Sequence, residues 1–224
     1  WFIGAGVGAQ FFYGDHNRQM AFGDRIVPAY ELHLGKHFTP GIGVRLALNG
    51  LKNKGVTQNF SHTTGVVYDE SQALYGQEFQ YLNFHGDVLF NLSNMVGGYN
   101  PTRLYSFSPY VGLGAMWTWE EPKTREVSAN LGFFNSFRLS PSLDLTLDIR
   151  GSLVHDRFDG ELGGRKDEGM LTTAVGIVYK FGKRTWNDKT KTVIRITNES
   201  ELRALRDKVN ELAADNNALK NQLA

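Results

Sequence analysis

The chain has no cysteine, only six prolines among 224 residues, and no uninterrupted apolar run of the length that a membrane-spanning helix needs. Without cysteine, a disulfide framework and a cysteine-ligated zinc site are excluded. Lysine and arginine number 24 against 23 aspartates and glutamates, and this near balance gives no support to nucleic-acid binding. Because the chain begins with Trp1 rather than methionine, we expect that a leader has been removed.

Glycine and aromatic residues are abundant, with 25 glycines and an aromatic share of 12%. In the stretch SPSLDLTLDIRG, from Ser140 to Gly151, apolar side chains occupy every second position. This period of two predicts a β-strand with one apolar and one polar face. Comparable segments occupy residues 1–13, 29–38, 42–50, 79–92, 108–120, 127–139, 140–151 and 170–182. The sequence therefore predicts an all-β domain of about eight antiparallel up-and-down strands.

The connections between these segments alternate in length. TPG (39–41) and SPS (140–142) are short, whereas the polar stretches 51–77 and 157–169 are long. Tight turns at one end and long loops at the other are typical of outer-membrane barrels. The connection 93–105 falls at the short-turn end although it has about a dozen residues. Either this connection is a real periplasmic excursion of the chain, or the predicted ends of the fourth and fifth strands are misplaced.

Alternation alone does not say which face points inward, since a lipocalin-like soluble barrel also alternates. The size of the side chains favours an apolar face directed outward. Large apolar residues from eight strands would not fit inside an eight-stranded barrel, whereas the glycine-rich polar face would. Aromatic residues near the strand ends suit interfacial girdles. We therefore predict a transmembrane barrel whose apolar face contacts outer-membrane lipid.

The polar face would then line the lumen, and its charges nearly balance. We predict an ion-paired plug, with a narrow or gated pore as the alternative. The predicted members are Glu31, Arg45, Asp87, Arg138, Asp144, Asp148 and Arg150. If the SPS turn aligns its two strands, Arg138 lies directly opposite Asp144, which is favourable for opposite charges.

Catalytic and metal sites have little support in the sequence. His155 and Asp156 stand at the outer end of the seventh strand, where some small barrels carry a rim histidine. No serine is paired with them by a motif, and the histidines lack metal-ligand spacing. We therefore predict neither enzymatic activity nor a cofactor.

After the barrel the periodicity changes to that of a helix. Asn198 and Glu201 suit a helix start, and apolar residues then recur at spacings of three and four. The predicted heptad seam is Leu202, Leu205, Val209, Leu212, Asn216, Leu219 and Leu223. Asn216 at an a position favours a parallel dimer, although a trimer is also compatible with the seam and the partner chain can be identical or different.

We predict a barrel over 1–182, a linker over 183–198 and a coiled-coil helix over 199–224. Because the seam reaches the last residues without a cap, we expect a further domain.

A small lipid-facing barrel whose final strand, GIVYKF, ends at Phe181, followed by a linker and a heptad helix, resembles the OmpA family of outer-membrane proteins. The resemblance rests on architecture and on no strict motif. It implies an outer-membrane location in a Gram-negative bacterium, a periplasmic C-terminus and a stalk leading to a peptidoglycan-binding domain absent from this chain. The implied function is to anchor the outer membrane to the cell wall. The alternatives are a pore, or an adhesin that acts through the loops 51–77 and 157–169.

Overall fold

The computed structural model describes residues 1–163, 167–182, 186 and 189–223, and within the C-terminal helix it describes the side chains at 199–216, 220 and 221. The chain divides into two compact units, residues 1–184 and 185–224. The first unit contains all the strands, and the second contains the long helix.

Among its described residues, the first unit has nine antiparallel strands, one α-helix and three single-turn 3₁₀ helices. The strands are β1 (Phe2–Tyr13), β2 (Ile26–His37), β3 (Ile42–Thr57), β4 (Thr63–Asp69), β5 (Leu74–Phe90), β6 (Tyr105–Thr118), β7 (Arg125–Arg138), β8 (Leu143–His155) and β9 (Asp167–Lys180). The helix α1 spans Leu92–Gly97, and the 3₁₀ turns are Asn17–Gln19, Phe22–Arg25 and Asp156–Asp159.

Eight of these strands close into a barrel. β1 pairs with β2 on one side and with β9 on the other, so the first and last strands are hydrogen-bonded neighbours. β3 pairs with β5 and completes the ring. Closure leaves no open sheet edge within the ring, which is the condition for a sheet that crosses lipid. The predicted eight-stranded antiparallel barrel is confirmed.

The long loop predicted over 51–77 is wrong in part, because much of it is strand. β3 continues to Thr57, β5 already begins at Leu74, and the two pair along this extension. β4 comes between them in the chain and pairs with the first residues of β5 on the side of β5 away from β3. The prediction failed because polar residues fill both faces here, so the period of two has no apolar signal. The 16 residues of β3 span about 50 Å along the strand, more than a tilted strand needs to cross a bilayer, so the extension projects beyond it.

The connection between β5 and β6 is a real excursion at the short-turn end. The adjoining strands end within three residues of the predicted positions, since β5 ends at Phe90 and β6 begins at Tyr105, and α1 occupies part of the interval. The side chain of Asn91 caps this helix by accepting the N–H of Asn94 at 2.9 Å. Asn94 Nδ2 in turn donates to the carbonyl of Pro40 at 2.8 Å, which ties α1 to the β2–β3 turn.

The two faces of the barrel differ as predicted. Apolar side chains of the outward face are exposed, including Val7, Leu32, Leu46, Leu113, Val127 and Ile177. Charged side chains of the alternate positions, such as Asp148 and Arg150, are almost completely buried in the lumen. An apolar outer belt around a polar interior is the arrangement that lipid requires. Among the described helices, none has the length and apolar character needed to cross a membrane.

The second unit is formed by α2 (Lys189–Leu223). The predicted start at residue 199 is wrong, because Asn198 and Glu201 lie within the helix. No glycine or proline between 189 and 198 stops a helix that extends toward the N-terminus, and a capping pattern by itself is a weak signal. Residues 183–185, 187 and 188 of the predicted linker lie outside the described residues.

The heptad seam lies along α2. Its members Leu202, Leu205, Val209, Leu212 and Asn216 are all exposed. The side chains of Leu219 and Leu223 lie outside the described residues. A single helix with an unburied apolar stripe has the form of one strand of a coiled coil.

Candidate functional site: the closed lumen

Arg45 of β3 is the centre of a buried charged layer in the barrel. Its Nε donates to Asp87 Oδ2 at 2.8 Å, and its Nη1 donates to Asp148 Oδ2 at 2.7 Å. The guanidinium also lies over the ring of Tyr110, 4.4 Å from its centroid. The Tyr110 hydroxyl donates to the second oxygen of Asp148 at 2.7 Å. One arginine thus joins three strands on different sides of the lumen.

Arg150 of β8 forms the second part of this layer. Its Nη2 donates to Glu31 Oε2 at 3.1 Å, and its Nη1 lies 3.2 Å from His85 Nε2. The other nitrogen of His85, Nδ1, lies 2.7 Å from Asp87 Oδ1. Because Asp87 also accepts from Arg45, His85 connects the two arginines. We call Glu31, Arg45, Asp87, Asp148 and Arg150 the ion-pair layer.

The ion-pair layer obstructs the lumen through opposed charges rather than one sign. Two guanidinium groups face three carboxylates, and both arginine side chains are about 1% exposed. Charges so far from water need partners in close geometry, since an unpaired buried charge costs several kcal/mol. A channel selective for ions of one sign would instead expose a ring of like charges.

Two glycines make room for the layer. A Cβ at Gly112 would collide with the Asp87 carboxylate, and a Cβ at Gly132 would lie 2.6 Å from the Tyr110 hydroxyl. Both glycines stand on the lumen face of adjacent strands, β6 and β7. The glycine-rich polar face noted in the sequence therefore has a steric cause at these two positions.

Apolar clusters lie on both sides of the layer. Toward the long-loop end, the mouth cluster contains Phe12, Phe79, Tyr81, Met116, Val154, Phe158 and Met170. Toward the short-turn end, the base cluster contains Phe2, Leu89, Tyr110, Phe134 and Val178. The lumen is therefore filled above and below its charged centre.

A folded segment, residues 156–161, covers the mouth, and we call it the lid. Phe158 of the lid is completely buried in the mouth cluster. The Phe158 carbonyl accepts from Thr124 Oγ1 at 2.8 Å, and the Gly160 carbonyl accepts from Ser61 Oγ at 2.7 Å. The first residues of the predicted external loop 157–169 therefore belong to the lid and help to close the barrel. Its residues 164–166 lie outside the described residues.

Asp159 places an ionisable group inside the lid. Its Oδ1 accepts the N–H of Glu161 at 2.8 Å, and its Oδ2 lies 3.4 Å from Gln77 Nε2. Burial raises the pKa of Asp159 to about 6, against the opposing effect of these hydrogen bonds. The lid therefore contains a carboxyl group that gains charge between mildly acidic and neutral pH.

One predicted pairing is wrong although its register is right. Arg138 and Asp144 are cross-strand partners, as predicted from the SPS turn. The Asp144 carboxylate nevertheless accepts from Lys180 Nζ of β9, at 2.6 Å. No ion pair of Arg138 occurs among the described residues. Asp144 of β8 lies between β7, which carries Arg138, and β9, which carries Lys180. The lysine side chain is the one that reaches the Asp144 carboxylate. Both Asp144 and Arg138 lie outside the ion-pair layer, at the short-turn end.

The sequence does not reveal several residues of the closure. The strand pattern leaves Tyr110 unassigned, although it is an inward position with a hydroxyl close to a predicted acid. The pattern places Phe158 in a loop, because a single aromatic among polar residues has no periodicity. The pattern places His85 on the polar face without giving it partners, and it proves to be a link between the two arginines.

The histidine considered for a rim enzyme does not form a catalytic arrangement with its neighbour. His155 is exposed, and its Nδ1 accepts the N–H of Arg157 at 3.2 Å. Asp156 is buried in the lid and accepts the N–H of Gly163 at 3.0 Å. Within the described ranges, no group of three or more histidine, aspartate and glutamate residues has metal-binding geometry.

Comparison with known proteins finds one relative along nearly the whole chain. Outer membrane protein 40 of Porphyromonas gingivalis is 25% identical over 225 aligned residues, which cover 95% of this chain and 56% of the relative. The chain thus spans about half the length of this protein. No family model matches the sequence.

Solved barrels resemble the first unit. Neisserial surface protein A has a TM-score of 0.48 at 9% identity and covers 80% of this chain and 96% of its own. The N-terminal barrel of Pseudomonas aeruginosa OprF has 0.43 at 11%, covering 79% and 96%. A major outer membrane protein of Thermus thermophilus has 0.48 at 16%, covering 80% and 99%.

Proposed function

We propose that this chain, an outer-membrane β-barrel protein, is the membrane anchor of an oligomeric stalk that ties the outer membrane to the cell wall. The barrel holds position in lipid and conducts nothing. The helix α2 associates with partner helices in the periplasm. The stalk leads to a peptidoglycan-binding domain, as the resemblance to the OmpA family implies.

The closed lumen is the observation that carries this proposal. The ion-pair layer, two apolar clusters and the lid occupy the barrel along its length. A transport pathway would need a continuous polar route past these obstructions. Rigid filling instead suits a barrel whose task is mechanical.

The exposed seam of α2 supports the oligomeric part. Leu202, Leu205, Val209 and Leu212 would gain burial against a second helix. A stripe of exposed leucines along one face of a helix is unfavourable in water. Packing against a partner helix removes these side chains from water. The place of this helix after β9 in the chain supports a periplasmic position, since β9 ends beside the short turns.

Conductance in planar bilayers tests the closed barrel. We expect no steady single-channel current from the unmodified chain. The double variant Arg45→Ala with Arg150→Ala removes both cations of the ion-pair layer and should admit intermittent openings. A steady current from the unmodified chain contradicts the proposal and favours the pore.

Sedimentation in detergent tests the stalk. We expect an oligomer that dissociates when Leu205→Glu and Leu212→Glu are combined, since charges then occupy two d positions. Asn216→Leu removes the polar a position and should change the stoichiometry while keeping association. A monomer in all three forms overturns the stalk. Co-sedimentation of the full-length protein with purified cell-wall sacculi tests the peptidoglycan part separately.

The projecting hairpin of β4 and β5 favours a second candidate, an adhesin. Phe60, Val66 and Val67 are each more than half exposed there, beyond the lipid belt. Exposed apolar groups on an extracellular projection suit contact with another surface. Replacing all three by serine should abolish binding to host-cell or matrix-coated surfaces if this candidate is correct, and change nothing if the chain is an anchor alone.

A further inference from the structure

The outward face of β5, β6 and β7 carries a depression at its long-loop end. Its volume is about 350 Å³, and its lining consists of Leu82, Trp117, Thr118, Trp119, Lys123 and Arg125. Indole rings and cations together at the edge of an apolar belt are typical of a membrane interface. We call this depression the rim pocket.

Strand register aligns the main walls of the rim pocket. Leu82 of β5 is the cross-strand partner of Trp117, and Trp117 is the partner of Arg125 of β7. The three side chains therefore form one row across adjacent strands on the lipid-facing side. Trp119 lies just beyond the end of β6 and lines the same pocket.

A second, separate depression lies on the same three strands, deeper in the lipid belt. Its volume is about 550 Å³, and its floor includes the row Gly86, Leu113 and Ala129. Glycine and alanine are small, so this part of the outer face is recessed between larger neighbours. Gly86 lies four positions after Leu82 in β5, a distance of about 13 Å along the strand. An extended hydrocarbon chain can bridge the two depressions, and we call the second one the belt groove.

The cations of the rim pocket are available to a ligand. Arg125 forms no ion pair among the described residues. Lys123 Nζ lies 3.2 Å from Glu121 Oε1, but both side chains are largely exposed. An exposed pair of this kind contributes little and exchanges readily. A guanidinium with free N–H groups matches the geometry of a phosphate, which it binds through two parallel hydrogen bonds.

We propose that the rim pocket and the belt groove together form a seat for one phosphate-bearing lipid of the leaflet at the long-loop end. The phosphate contacts Arg125 and Lys123 beside the two tryptophans. One acyl chain lies along the belt groove over Gly86 and Ala129. A free anion would leave the apolar groove unused, and an uncharged lipid would leave Arg125 without an anionic partner.

Lipid titration of the purified chain in detergent, followed by native mass spectrometry, tests this seat. The probes are phosphorylated lipid A, its dephosphorylated form, a phosphatidylcholine and inorganic phosphate. We expect retention of one phosphorylated lipid A. Affinity should fall at least tenfold in the double variant Lys123→Gln with Arg125→Gln, and also in Ala129→Phe, which fills the groove. Lys36→Gln is the matched control, because Lys36 lies between Trp1 and Phe38 at the opposite end.

Each arm has a decisive outcome. Equal binding of the dephosphorylated lipid removes the role of the cations and overturns the proposal. Displacement of the lipid by millimolar inorganic phosphate indicates a site for free anions and also overturns the proposal. An equal loss in Lys36→Gln indicates unspecific surface charge and also overturns it. Heat-modified mobility on gels verifies that every variant is folded, and none of these outcomes depends on whether the barrel anchors a stalk.

Discussion

At the scale of single residues, Arg45 has the most constrained environment in the barrel. It donates to two carboxylates from different strands and stacks on Tyr110, while its exposed fraction is about 1%. Removing a cation from such a site leaves the acids without compensation. The effect of a substitution therefore depends on the partners that remain.

We predict that Arg45→Leu lowers the free energy of unfolding by about 3–5 kcal/mol, because Asp87 and Asp148 lose their shared cation. Urea titration of the barrel in detergent micelles, followed by tryptophan fluorescence, measures this change. Arg138→Leu is the control, since Arg138 forms no ion pair among the described residues, and we expect a change below about 1 kcal/mol. Equal losses in both variants contradict a special role for the ion-pair layer.

A second residue-scale prediction concerns Asp159 in the lid. Its folded-state pKa of about 6 lies above the ordinary value of 3.8, so the folded lid binds the proton more tightly than the unfolded chain. The stability that this proton contributes is present below about pH 4 and is lost as the pH rises through about 6, and the loss is at most about 3 kcal/mol. Asp159→Asn should remove this pH dependence and slow hydrogen exchange of residues 156–161 at about pH 8.

Mass-spectrometric hydrogen exchange, corrected for the intrinsic effect of pH, measures the lid directly. Asp24→Asn is the control because Asp24 is an exposed acid of the β1–β2 loop. If the wild-type lid exchanges equally at about pH 5 and about pH 8 after correction, the Asp159 carboxyl does not control its closure.

At the scale of elements, alternation in the sequence predicted most strands but missed the extended ends of β3 and β5 and the whole of β4. In β8, Leu145 and Asp148 fall on opposite faces as the pattern requires, and this pattern fixes the inside and the outside. The extended ends of β3 and β5 were missed because Asn53 and Lys54 are both polar, although one faces inward and the other outward. Periodicity identifies a strand only where its faces differ in polarity.

Side-chain partners were harder to predict than elements. The register of Arg138 with Asp144 followed from a short turn, which is local information. The choice of Lys180 over Arg138 depends on the reach of a side chain from β9, the strand on the other side of β8. The same holds for Arg45 and Asp148, which come from distant strands. Such pairs require the geometry of the lumen in addition to the pattern of the strands.

An element-scale prediction concerns the lipid face of β8. Leu147 is outward and central, so Leu147→Arg should cost about 2–4 kcal/mol of insertion free energy. Leu147→Met is the matched apolar control and should insert normally. Folding into lipid vesicles, scored by protease protection and gel mobility, distinguishes the two. If Leu147→Arg inserts as well as the methionine variant, the apolar face of β8 does not contact lipid.

At the scale of the whole molecule, the barrel separates into a part that closes the ring and a part that projects from it. β3 and β5 pair directly up to Thr57 and Tyr75, so the ring does not require β4. The residues before β4 nevertheless hold the lid, since Asn59 and Ser61 both donate to the Gly160 carbonyl. The projecting segment and the lid are thus coupled by hydrogen bonds, whereas the ring and the segment are separable.

We predict that replacing residues 58–74 by the two-residue turn Asn-Gly leaves the barrel folded and inserted, because Asn-Gly suits a tight hairpin between the cross-strand partners Thr57 and Tyr75. Hydrogen exchange of residues 156–161 should become faster, since two donors to Gly160 are removed. Gel mobility verifies the folded ring in the same sample. Failure to fold would mean that β4 is needed for closure, contrary to the direct pairing of β3 with β5.

The pairing of β1 with β9 has a consequence for how the molecule forms. Phe2 lies opposite Lys180, so residues almost 180 positions apart must meet before the ring is complete. Contacts of such long sequence separation make folding slow, because the intervening chain must first be ordered. Until β9 arrives, β1 presents unpaired backbone groups that are prone to aggregation. The last strand synthesised is therefore the one that completes the barrel, and protection of the open β1 edge is needed throughout the assembly that precedes it.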